Sequence, residues 1–180
     1  MPRHPPSDRK PLMDLLHRPR RALLSVALAV GLAASAMLGC VPARAGAMTD
    51  YLETALINHL FRSSAYTAPT TWYVGLLTAG CSDSSAGTEA SGGSYARVAV
   101  AAGTGNWAAT SGTNGTTSNV NAINFATPSA GWGAVTHFGL YDASSAGNLL
   151  VCQALTVSKT INSGDTVSFP ASSLTFQIDN

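Results

Sequence analysis

The chain has 180 residues, one domain's worth, and its 46% hydrophobic and 11% charged composition is too apolar and too sparsely charged for a disordered chain. A formal charge of +1 conceals two unlike parts: residues 1–47 carry seven Arg/Lys against Asp8 and Asp14, whereas residues 48–180 carry Arg62, Arg97 and Lys159 against seven acids. A weakly acidic body with three cations neutralises few phosphates, which argues against nucleic-acid binding.

Residues 1–47 have the layout of a secretory signal. Six of the nine prolines lie here beside an Arg-rich stretch that ends at Arg20 and Arg21, and from Ala22 to Cys40 no residue is charged. Ala43, Arg44 and Ala45 then match an A-x-A cleavage pattern. The uncharged run reaches the length of a membrane span, but its richness in Ala, Ser and Gly and the cleavage-like site behind it favour a signal. Met37-Leu38-Gly39-Cys40 loosely suggests a lipidated cysteine, with Met where Leu is usual. The competing reading is an upstream start artefact, with Met48 as the true start. On either reading residues 1–47 stand outside the fold, residues 48–180 form a single β-rich domain, and any membrane contact is made by the leader alone.

In residues 50–62 (DYLETALINHLFR), Leu52, Leu56, Ile57, Leu60 and Phe61 share one helical face. Asp50 fits an N-cap and Glu53 the positive end of the helix dipole. A single short helix of this kind has to bury its stripe on a sheet or on another subunit. Beyond Pro69, short β-branched and aromatic runs alternate with Gly, Ser, Asn and Thr, which reads as β-structure. The predicted strands are residues 71–78, 95–101, 120–125, 135–141, 149–157, 166–169 and 174–178. Their spacing predicts a mainly β domain, a β-sandwich or jelly-roll-like fold with one N-terminal amphipathic helix. Residues 142–148 (DASSAGN) read as a hairpin connection, and Asn114-Gly115 as a tight turn. The Gly/Ser/Thr-rich stretches 80–93 and 101–118 read as functional surfaces or flexible links.

Catalytic patterns are weak. Residues 103–108 match G-x-G-x-x-A but open a Thr/Gly/Asn tract instead of a helix, and no acid follows about 20 positions on, as a dinucleotide site requires. His59 and His137 are the body's two histidines, no G-x-S-x-G elbow accompanies them, and Ser is too frequent to be informative. The seven acids sit mostly in predicted turns and at the helix start, where solvation and capping explain them. No catalytic residue, cofactor or metal ligand is assigned. Cys81 and Cys152, the body's two cysteines, could pair after export and would stay free in a cytosol. Trp72 reads as core. Trp107 and Trp132, in Gly/Ala/Thr-rich segments, are the candidate interface residues, since aromatics in polar loops serve as anchors.

Residues 49–62 (TDYLETALINHLFR), 71–78 (TWYVGLLT), 87–100 (GTEASGGSYARVAV), 114–125 (NGTTSNVNAINF), 132–142 (WGAVTHFGLYD) and 159–179 (KTINSGDTVSFPASSLTFQID) together carry a resemblance. In this ordered set the body resembles a family of small bacteriophage virion proteins, tail-fibre-like or otherwise structural. The resemblance implies a non-enzymatic role in the particle, with other virion proteins as partners, a homo-oligomer, and a virion location after assembly in the host cytoplasm. Capsid decoration is the alternative within that class. An exported bacterial β-sandwich that binds a surface ligand or carbohydrate, periplasmic or secreted, is the alternative outside it, and a small hydrolase built around His137 is a third.

Overall fold

The computed structural model describes residues 47–110 and 115–177. The leader up to Gly46, Asn114 of the predicted turn, and Ile178 lie outside the described residues. In chain order the elements are β1 (Ala47–Met48), α1 (Asp50–Phe61), β2 (Thr71–Ala79), β3 (Thr88–Glu89), β4 (Val98–Ala101), β5 (Thr116–Ser118), β6 (Ile123–Asn124), β7 (Gly133–Tyr141), β8 (Leu149–Ile161), β9 (Ser168–Phe169) and β10 (Thr175–Gln177). The body is mainly β with one helix, as its texture predicts.

Six strands form an antiparallel sheet in the order β1-β8-β7-β2, with β3 and β4 sharing the remaining edge of β2. Two short ladders, β5 with β10 and β6 with β9, stand beside it among the described residues. The three long strands were legible because each carries apolar residues at period two. Register places Val74 opposite Leu140 and Leu76 opposite Phe138, with Leu140 in turn opposite Val151, so these five share one face. All five are 4% exposed or less. Onto this face the ladders bring Ile123, Phe125, Phe169 and Leu174, which belong to the same hydrophobic core. Phe138 and Phe169 meet edge to face at 5.8 Å. That two-layer packing is the burial a sandwich requires.

Asn119 ties the ladders together. It is fully buried, and its side chain donates to the Asn121 and Pro170 carbonyls and accepts from the Leu174 N–H. A buried amide is stable only when satisfied in this way.

Several predicted strands shorten: 95–101 to Val98–Ala101, 120–125 to Ile123–Asn124, and 166–169 to Ser168–Phe169. β8 instead runs on to Ile161. Along it, register passes from Ala154 opposite His137 to Lys159 opposite Val135, so β8 advances five positions while β7 advances two. The surplus bulges outward and leaves Val157 76% exposed.

The helix start is corrected. The N-cap is Thr49, not Asp50, and it makes no side-chain cap bond. The Thr49 hydroxyl is buried and donates to the Leu149 carbonyl at 2.7 Å, where β8 carries a one-residue bulge against β7. The Asp50 N–H donates instead to the Asp83 carbonyl at 3.0 Å, so a loop does the capping. The helical stripe is also only partly covered. Leu52 is buried and Leu56 partly so, whereas Ile57, Leu60 and Phe61 are 55%, 69% and 78% exposed.

Candidate interaction surface

The densest polar cluster lies where β3 ends and β4 begins. Both strands pair with β2 but leave a gap along its edge, at Leu76. The Leu76 carbonyl there accepts from the Ala90 N–H, and the Leu76 N–H donates to the Tyr95 hydroxyl at 2.8 Å. Tyr95 thus supplies with a side chain the acceptor that a neighbouring strand would supply with a carbonyl. Its hydroxyl donates in turn to Glu89 Oε1 at 2.8 Å. Arg97 meets the same carboxylate bidentately, Nε to Oε1 at 2.8 Å and Nη2 to Oε2 at 2.7 Å. Arg97 Nη1 donates to the carbonyls of Ala143 and Ala146, and the guanidinium carbon stands 3.4 Å above the Tyr141 ring.

The Arg97 side chain is 7% exposed and its donors are turned inward, so this ion pair fastens the β7–β8 hairpin to the β3–β4 edge. Burial, reinforced by the negative charge of Glu89, pushes the Tyr141 hydroxyl up to about 12, with Arg97 opposing. Burial likewise raises Tyr95, against the hydrogen bond from Leu76 and with the help of Glu89. A carboxylate and a guanidinium engaged in this way hold structure. No sequence motif marks the cluster. The available signal is that two of the body's few charges, Glu89 and Arg97, flank the Gly92-Gly93 turn.

The two tryptophans occupy different settings. Trp132 is 4% exposed, donates its indole N–H to the Gly93 carbonyl at 3.0 Å, and stands edge to face with Tyr95 at 5.2 Å. Trp107 is half-buried, edge to face with Trp72 at 6.5 Å, and its indole N–H is buried without an acceptor.

The histidines are not brought together with an acid. His59 Nδ1 accepts from the Tyr66 N–H, His137 Nδ1 lies 2.8 Å from the Thr136 hydroxyl, and neither has a carboxylate partner among the described residues. No group of three metal-binding side chains occurs among the described residues, nor any helix long and apolar enough to cross a membrane. Cys81 and Cys152 are joined, with Cα atoms 6.3 Å apart. Their pairing realises the option that the cysteine count leaves open.

What the surface offers is apolar. Ile57, Leu60 and Phe61 stand at i, i+3 and i+4 on the outer side of α1, a continuous exposed stripe. At β8 and β9 a groove of about 250 Å³ is lined by Leu155, Val157, Val167, Phe169 and Pro170, with Lys159 beside it.

The chain belongs to the family described as Podophage GP4 fiber I protein gp80, whose model matches residues 47–177. The match agrees with the tail-fibre-like resemblance in the sequence and spans the described body. No curated protein matches the chain.

Proposed function

We propose that this protein is a non-enzymatic structural component of a bacteriophage particle, a tail-fibre-like subunit that acts through protein–protein contacts and assembles with other virion proteins as a homo-oligomer. The observation that carries this reading is the family match over residues 47–177. The contact is assigned to the exposed stripe Ile57, Leu60 and Phe61 on α1, because three large apolar side chains left in water at helical spacing gain most by being covered. Trp107 joins the contact set through its partly exposed ring. Trp132, buried in the core with its indole N–H on the Gly93 carbonyl, stands outside the contact set. Many copies in a symmetric particle turn a modest contact per subunit into firm attachment.

Antibody labelling of intact particles, read by electron microscopy, tests the role. Label on fibres at the tail is expected. Label over the shell would replace the fibre role with capsid decoration, and its absence from particles would overturn the proposal.

A further inference from the structure

We infer that the Cys81–Cys152 bond is a lock on the loop of residues 81–87, open while the chain is in a reducing cytosol and closed after it leaves; this rests on the virion role proposed above. Cys81 stands just past β2 and Cys152 lies on β8, with β7 between those strands in the sheet. To reach Cys152 the chain leaving β2 turns back over β7, passing His137 beside Gly80. Residues 82–88 are exposed, and the Ser82–Ser85 turn is closed by its own backbone hydrogen bonds of 2.9 and 3.1 Å.

Among the described residues, the hydrogen bond that fixes this turn to the rest of the body is the one from the Asp50 N–H to the Asp83 carbonyl. The disulfide is the second tether, and it acts at a telling place. Cys152 is the register partner of Ala47 on β1, the strand that leads directly into α1. Closing the bond therefore staples the loop to the root of the helix that bears the exposed stripe.

Both cysteines are only half-buried, within reach of a small oxidant. They are also the body's only two, so mispairing within it does not arise. In a cytosol kept reducing by thiols the pair stays open. On release, the thiolate of one cysteine attacks a low-molecular-weight disulfide and expels one thiol; the thiolate of the second then attacks the mixed disulfide and expels the other. Two protein S–H bonds are lost and one S–S bond forms, while the oxidant takes up two electrons and two protons and leaves as two thiols.

The test uses the full-length chain in producing cells and in released particles, alkylated with N-ethylmaleimide and peptide-mapped so that Cys81 and Cys152 are read separately from Cys40. Both are expected to be alkylated inside cells before lysis, and protected in released particles until a reductant is added. Hydrogen exchange of the purified chain should then show amides of residues 81–87 exchanging at least about tenfold faster after reduction, and equally fast in the Cys81→Ser and Cys152→Ser variants without reductant. Protection already present inside cells, alkylation in released particles, or identical exchange in the two redox states would each overturn the lock. Absence of the chain from particles, with the bond formed in an exported fraction, would overturn the virion reading instead and leave the loop's redox dependence to be read from the exchange experiment.

Discussion

The backbone N–H of Leu76 shows how single residues hold this fold together. It points out of the sheet between the end of β3 and the start of β4, where no strand meets it, and the Tyr95 hydroxyl is its acceptor. The variant Tyr95→Phe keeps the ring that stacks on Phe125 and meets Trp132 edge to face, but strands that N–H and removes one donor from Glu89. A cost of about 1–3 kcal/mol follows for a buried donor left without a partner. Urea unfolding measures it, and an unchanged midpoint would sink the assignment. Two residues upstream, Gly93 has φ of +51°, and a Cβ there would collide with the Ala130 carbonyl. Gly93→Ala should therefore cost more than about 1 kcal/mol, read by the same titration. Little of this was legible beforehand. Tyr95 and Arg97 appear in the sequence as part of a short strand pattern, and the partner that gives each its role, Leu76 or the Ala143 carbonyl, is set by tertiary packing. Trp132 likewise reads as a loop aromatic until Gly93 is brought to its indole N–H.

At the scale of elements, α1 separates what periodicity can tell from what it cannot. The spacing of Leu52, Leu56, Ile57, Leu60 and Phe61 defines a helical face and fits α1 to within one residue at its end. It cannot say how far the sheet extends beneath that face, and here the cover stops after Leu56. Leu52→Ala should accordingly destabilise the body by about 2–5 kcal/mol, the range for emptying a buried leucine site. Leu60→Ser and Phe61→Ser should change its stability by no more than about 0.5 kcal/mol, since their side chains already stand in water. The same two variants should lose self-association and incorporation into particles. Sedimentation of the purified proteins together with thermal melts checks both halves, and a well-folded double variant that still assembles would remove α1 from the contact. The helix start failed for a related reason. An acid at Asp50 suits an N-cap locally, but the fold uses the Thr49 hydroxyl on the β8 bulge and lets Asp83 cap the helix from a distant loop.

At the scale of the whole body, the long strands were readable because alternation is a local property, whereas the two-residue strands β1 and β3, which no predicted strand covers, exist through pairing. β1 meets β8 about a hundred positions away along the chain, and no local pattern encodes that meeting. The same long-range assembly gives the body a pH response that sequence alone does not suggest. Tyr141 is 4% exposed beneath Arg97, and its hydroxyl is raised from 10.0 to about 12, chiefly by burial. Tyr95 is raised in the same direction. A raised value means that the folded state holds the proton more tightly than the unfolded chain does. Below pH 10 both states keep it, so the contribution is fully present there and stability does not vary with pH through these groups. Between pH 10 and about 12 the unfolded chain ionises Tyr141 while the folded body does not, so stability falls as pH rises and the contribution is lost above that window. Melting temperatures measured across it should decline, and the phenolate absorbance of the folded protein should lag behind that of the urea-unfolded chain. The variant Tyr141→Phe loses a titrating group from both states, so its decline should be shallower. An equal slope in variant and parent would show that the alkaline loss arises elsewhere, and that Arg97 and Glu89 hold Tyr141 without coupling its proton to the fold.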